Sequence, residues 1–189
     1  PPAAPGAVVR YTMNQTLPVE SSPIYDGTPF PISATTTVRA RVFQPGRLPG
    51  PPKTVTLLKL AADLANFNSA LPIMVAESFG VDIDLANNPS APRPFRQVYT
   101  VLIDRDPADG LAKMSGVPDF AGRSAMHVRG QTSSGFPKKP YAWEAWDENN
   151  EDEKVTLLDF PKESDWVLHA PYSDKTLMRN VVSYGVAHD

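Results

Sequence analysis

The residues best placed to do chemistry lie in one stretch, "RGQTSSGFPKKPYAWEAW", Arg129 to Trp146. A loop of glycines and hydroxyls, Gly130-Gln131-Thr132-Ser133-Ser134-Gly135, precedes two lysines, Lys138 and Lys139. Backbone amides in such a loop, with ammonium groups beside them, are the parts of a phosphate cradle. The same residues also make an ordinary polar hairpin turn with a charged edge, and spacing alone leaves both readings open. Alternation narrows the lysines. If the run after the loop is a strand, Lys139, Tyr141, Trp143 and Ala145 share one face, and Lys138, Ala142, Glu144 and Trp146 the other. Only one lysine then points into a cleft, and Lys139, on the more apolar face, is preferred. The candidate phosphate-holding set is Gly130, Ser133, Ser134, Lys138 and Lys139.

Other chemistry is thinly represented. His127, His169 and His188 have no metal-ligand spacing and read as structural. Asp82-Ile83-Asp84 and Asp104-Arg105-Asp106 with Asp109-Gly110 look faintly like calcium loops. Neither completes the twelve-residue pattern with its terminal glutamate, so no metal ligand is assigned. There is no G-x-S-x-G elbow for a nucleophilic serine. Trp143 and Trp146 fall on opposite faces of a regular strand, so core packing is favoured over a shared sugar-stacking platform.

These residues need elements to hold them. The chain has 189 residues, a 41% hydrophobic fraction and a net charge of -3, enough for one large or two small folded units. The charge argues against nonspecific nucleic-acid binding, and no apolar run reaches membrane-spanning length. Cysteine is absent, which excludes disulfides, thiolate metal sites and a cysteine nucleophile. The 21 prolines suit many short strands and connections rather than long helices. The chain begins at Pro1 without a signal peptide and is expected to be a piece of something longer.

Short strands are predicted in "AVVRYTM", "SPIYDGTPFPI" and "TTTVRARVF". In the last, Val38, Ala40 and Val42 alternate with Arg39, Arg41 and Phe43, the pattern of a strand with one buried face. Gln44 to Lys53, with four prolines and two glycines, reads as an inter-module linker or a turn before a strand in "TVTLLKL". A polar connector or short helix follows. Further strands are expected in "LPIMVAESF" and "FRQVYTVLID", with a long polar loop between them, and in the pair "RSAMHVRG" and "PYAWEAWD" flanking the candidate loop. Glu148–Lys154 reads as a solvated acidic turn, and "VTLLDFP" and "DWVLHAP" as short apolar runs. One helix is predicted near the end, capped by Ser173 or Asp174, with a stripe of Leu177, Met178, Val181, Val182 and Tyr184. The expected fold is mainly β with an α+β second module: a small β-sandwich over 1–60, then a mostly antiparallel sheet over 68–189 ending in one helix.

Two resemblances sharpen these readings. Tyr11, Thr12, Ser21, Ser22, Tyr25, Gly27, Thr35 to Thr37, Val38, Arg39, Ala40, Arg41 and Gly46 resemble the pattern of the chitobiase/β-hexosaminidase C-terminal type of β-sandwich. "NQTLP" departs from that pattern's usual "DG..P". The resemblance implies an accessory module without catalytic residues. Further on, Arg129, Gly130, Ser133, Phe136, Pro137, Lys138, Lys139 and Tyr141 resemble the first block of the CotH-type (spore-coat) kinase-like family. Leu157, Leu158, Pro161, Asp165, Trp166, Leu168, Tyr172, Asp174, Lys175, Leu177, Arg179 and Asn180 resemble its second block.

That family implies transfer of phosphate from ATP, with Mg²⁺, to serine on secreted or surface proteins. It would make the loop a phosphate cover and place a lysine on the following strand. A kinase lysine normally pairs with a helical glutamate; Ser173–Asp189 has none, which leaves Asp174 as the helical candidate or a partner elsewhere. Capping of the helix is the favoured role for Asp174. The family's catalytic aspartates lie past the "DKTLMRN" segment. The chain is therefore expected to be an amino-terminal lobe, inactive by itself, of a secreted or cell-surface bacterial protein, and no residue receives a catalytic role. The implied partners are an extracellular protein substrate or a cell-surface glycan, with no nucleic acid and no membrane span. A reading of another class stands beside it: a noncatalytic secreted protein that self-assembles as a homo-oligomer or holds a glycan.

Overall fold

The computed structural model describes residues 4–84 and 93–188, His188 by its backbone alone. Residues 85–92 of the expected polar loop, and the side chain of His188, lie outside that description. Among the described residues the fold is mainly β, with three antiparallel sheets and one α-helix near the carboxy-terminal end. The first sheet has the order β1 (Val8–Thr12), β2 (Thr36–Phe43), β3 (Lys53–Leu57). The predicted strand "SPIYDGTPFPI" is instead a loop that touches the sheet through a single bridge, Arg10 to Ile24. Its prolines Pro23, Pro29 and Pro31 withhold the amides a ladder needs. The proline-rich run Gln44–Pro52 is the β2–β3 connection, so of the two readings it is the turn.

The first sheet reverses the usual orientation of apolar and polar faces. Thr37, Arg39 and Phe43 are buried, Arg39 at 2% exposure, whereas Val42 and Val55 are 40% and 60% exposed. The arginine face is covered by the 13–22 loop. Arg10 Nη1 donates to Ser22 O at 2.5 Å, Arg39 Nη1 to Gln15 O at 3.2 Å, and Pro18 is fully buried. Arg10 and Arg41 lie over the Phe43 ring, each 6.0 Å from its centre. A guanidinium can be buried when its donors are spent and its stem packs on apolar surface.

A 3₁₀ turn (Ala62–Leu64) and β4 (Asn68–Ser69) lead to β5 (Ile73–Glu77) and β6 (Arg96–Ile103). β7 (Ala112–Lys113) pairs with β4, inside the stretch expected to be irregular. β8 (Phe120–Val128), β9 (Tyr141–Ala145) and β10 (Asp165–Leu168) complete a five-stranded sheet of order β10-β9-β8-β6-β5. β8 is central, which explains why Arg123 to Met126 are all buried rather than alternating. One face carries Val98, Leu102, Met126 and Trp143, closed over by Leu157. Within it Trp143 Nε1 donates to Thr100 Oγ1 at 2.8 Å, and Thr100 and Ser124 share a 2.6 Å hydrogen bond. The buried polar atoms of Trp143, Thr100 and Ser124 are thus satisfied, whereas Trp166 Nε1, packed against the same core, has no partner among the described residues. At the β5 end, the opposite face buries Ile73 and Ile103 against Ala112 of the small sheet.

The two parts meet at the acidic turn after β9. Glu148 Oε1 accepts from Thr54 N at 2.8 Å and Oε2 from Thr54 Oγ1 at 2.5 Å. Arg39 bonds both the Glu148 carbonyl and its carboxylate, the latter at 3.3 Å. The turn expected to be merely solvated is therefore a structural contact.

The helix α1 spans Arg179–His188 and starts later than an N-cap at Ser173 or Asp174 requires. Leu177 has φ +59°, a left-handed conformation that interrupts a helix, so Asp174–Leu177 is a turn. The stripe residues Val181, Val182 and Tyr184 are exposed, Tyr184 at 72%.

Candidate functional site

The loop and its lysines sit at the open end of the β8–β9 hairpin, where Val128 pairs with Tyr141. Gly130 has φ +87°, and a Cβ there would stand 2.0 Å from Ser133 Oγ, so only glycine fits this entry to the loop. Ser133–Gly135 forms one 3₁₀ turn, and buried Ser134 donates from Oγ to Gln131 O at 2.7 Å. Arg93, outside the sequence-derived set, holds the loop from beneath. Its Nη1 donates to Gly130 O at 2.6 Å and Val128 O at 3.3 Å, and its Nη2 to Ser134 Oγ at 3.4 Å. The Ser134 hydroxyl is thus part of the loop's own frame.

Both lysines lie before β9, outside the strand the sequence reading placed them in, yet they separate. Lys138 is exposed. Lys139 is half-buried and its Nζ donates to Asp84 Oδ2 at 2.8 Å, an ion pair. Tyr141, two residues on, donates its hydroxyl to Asp84 Oδ1 at 2.6 Å. Burial disfavours the charged form of Asp84, but the bonds from Lys139 and Tyr141 and the Lys139 charge outweigh it, and its carboxyl is held below the ordinary aspartate range. Burial first, and the Asp84 bond second, push the Tyr141 hydroxyl up to about 12, so it stays a donor across the physiological range. In the sequence Asp84 has only the look of a calcium-loop fragment. Its carboxylate is spent on these two donors, and among the described residues no group of three or more histidine or acidic side chains converges as a metal site.

Asp174 does not join this cluster. Its carboxylate accepts from Thr176 Oγ1 at 2.6 Å, Thr176 N at 3.1 Å and Arg179 N at 2.9 Å, and Arg179 Nε lies 3.6 Å away. Those bonds, the Thr176 hydroxyl foremost, lower its pKa. It holds the turn before the helix and receives the amide of Arg179, the first helical residue, but it is not the N-cap that the sequence reading expected. The segment nevertheless approaches the loop: the Phe136 and Tyr172 rings lie 5.2 Å apart, and Lys175 Nζ is 4.4 Å from the Tyr172 centre. The first of these contacts joins the two blocks of the sequence pattern.

Trp143 belongs to the core at 1% exposure. Trp146, on the other face, donates Nε1 to Glu144 at 2.6 Å. Burial raises the Glu144 pKa above its ordinary value, opposed by that hydrogen bond and reinforced by Asp152 and Asp165. His127 stands edge-on to Phe95 with ring centres 4.5 Å apart, and His169 meets Asn180 at 3.1 Å.

The sequence reading missed Asp84 and Arg93. Asp84 lies 55 residues before Lys139, so no local spacing could link them. The one available signal was the type of residue needed: a carboxylate for a half-buried lysine.

No curated protein and no solved structure matches the chain. Residues 3–54 match the family model described as chitobiase/beta-hexosaminidase C-terminal domain, and residues 126–189, which contain the loop and both lysines, match CotH kinase protein.

Proposed function

We propose that residues 68–189 form the nucleotide-side part of a CotH-type atypical serine kinase. In this reading the Gly130–Gly135 loop and Lys138 and Lys139 hold the phosphates of ATP with Mg²⁺. The observation that carries it is the Lys139–Asp84 ion pair just downstream of the loop. In kinase amino-terminal lobes, a carboxylate pairs with a strand lysine and aims it at the α and β phosphates. Here the carboxylate comes from the segment before β6 rather than from a helix.

The residues present fit such a ligand. Gly130 permits close approach of backbone, Lys138 offers an exposed ammonium, and Lys139 is half-buried and positioned. Bound ATP would supply the phosphoryl group. The chain's own contribution is binding and orientation: Asp84 and Tyr141 fix the lysine, and Arg93 fixes the loop. The acceptor class is a serine of an extracellular or surface protein, in keeping with the accessory module ahead of it and a secreted bacterial setting.

Saturation-transfer NMR with Mg·ATP, which detects weak complexes, tests the reading. Transfer to the nucleotide is expected in the native chain, lost in Lys139→Ala, and reduced in Lys138→Ala and Asp84→Asn. Equal transfer in the native chain and both lysine variants would sink it.

A further inference from the structure

The reversed first sheet leaves a groove that the kinase reading does not use. Its floor is the open face of β1 and β2, with Val9, Val38 and Ala40, and its wall is the loop carrying Tyr25, Asp26 and Phe30. The groove is about 800 Å³ in volume. Tyr11 stacks parallel on Phe30, 5.5 Å between centres, and Tyr25 stands edge-on to both at 6.2 and 6.4 Å. The three rings therefore brace one another, yet Tyr25 remains 40% exposed.

Polar groups are set among these apolar surfaces. Asp26 is fully exposed, and its carboxylate is held by Thr28, whose amide donates to Oδ1 at 2.8 Å. Among the described residues no cation pairs with it, and neither the Tyr11 nor the Tyr25 hydroxyl makes a hydrogen bond. These unspent groups select the occupant. A second copy's valine face would cover the floor but strand two phenols and a carboxylate without partners. A proline-rich peptide offers carbonyl acceptors but no donor for the carboxylate unless it also carries a cation. A pyranose with equatorial hydroxyls has both needed surfaces: an apolar C–H face for the aromatic rings and hydroxyls that donate and accept around its rim.

We infer that the groove between the β1–β2 face and the Tyr25–Phe30 loop binds a neutral, β-linked glycan, with Tyr25 as the stacking residue and Asp26 as the hydroxyl acceptor. The site is independent of the nucleotide reading, and either stands if the other fails.

The test is amide chemical-shift mapping of the ¹⁵N-labelled 189-residue chain titrated with cellohexaose. Shifts should centre on Tyr25, Asp26 and Gly27 and leave the Gly130–Gly135 loop unmoved. Tyr25→Ala and Asp26→Asn, both at exposed positions, should each weaken binding about ten-fold. Absence of shifts in the native chain at millimolar sugar would overturn the proposal, as would shifts that persist unchanged in both variants. An octaproline peptide that moves the same amides more than cellohexaose would also overturn it. So would a concentration-dependent dimer, abolished by Tyr25→Ala, that forms without sugar.

Discussion

In the five-stranded sheet the buried face carries Val98, Met126 and Trp143; in the three-stranded sheet it carries Thr37, Arg39 and Phe43, while Val42 and Val55 face solvent. Side chains alternate between the faces in both strand sets, although in the central β8 Arg123 to Met126 are buried on both sides. What differs is the covering. Over the five-stranded sheet the chain supplies Leu157, with Val155 and Leu158 beside it. Over the arginine face of the three-stranded sheet it supplies the carbonyls of Gln15 and Ser22 and the carboxylate of Glu148. Period-2 alternation tells which residues share a face, and the partner surface tells which face goes in. A hydrophobic face is the usual choice because burial is favourable without further conditions. A guanidinium face goes in only where enough acceptors are brought to it.

That contrast can be broken at graded points. The largest effect is expected in the five-stranded core. Trp143→Ala removes its largest buried side chain and the indole donor to Thr100, and should cost about 3–5 kcal/mol in chemical denaturation. Less than about 3 kcal/mol would mean that Leu157 and its neighbours collapse into the space.

The next step breaks the polar covering. Glu148→Ala leaves the Arg39 guanidinium buried with the Thr54 hydroxyl and backbone carbonyls but no carboxylate, and should cost about 2–4 kcal/mol. A silent Glu148→Ala would show that the arginine face does not depend on the acidic turn. Replacing Arg39 together with Glu148 by apolar residues of similar size should recover much of the loss.

A pH measurement sharpens the comparison on the second sheet's less covered face. Burial holds the folded-state pKa of Glu144 above its ordinary value of 4.5. The folded protein therefore binds this proton more readily than the unfolded chain does. The sign follows: stability from this group is fully present below pH 4.5 and declines as pH rises through the raised folded value. Glu144→Gln, whose amide oxygen can still accept from Trp146, should show no such decline. Its stability relative to the native chain should grow across that window in paired denaturation curves.

The smallest effect belongs to the open valine face. Val55→Thr should change stability by no more than about 0.5 kcal/mol, since the side chain is already in water. A loss several times larger would mean that the face is covered in solution.

Several features of the candidate site are legible in the residues alone. Gly130 marks a loop entry, and alternation puts Lys139 and Tyr141 on one side and Lys138 on the other. Asp174 carries the composition of a cap, yet it lies in the turn before the helix, where it accepts the Arg179 amide from five residues away. Other features are not legible there. The helix start is displaced because Leu177 takes a left-handed conformation, which no apolar stripe reports. Arg93 reaches Gly130 across 37 residues and Asp84 reaches Lys139 across 55, separations at which side-chain pairing leaves no periodic trace.

The amino-acid sequence by itself determined the strand pattern, the hairpin around the loop, the separation of the two lysines and the two family likenesses. These rest on local sterics and on the two-residue repeat of an extended chain, which neighbouring residues specify. Only the tertiary structure decided which face of the first sheet is buried, which carboxylate holds Lys139, and that the acidic turn clamps Arg39. Each of those is a choice among competing partners far apart in the chain. The choice is made by which arrangement leaves the fewest buried charges and donors unsatisfied.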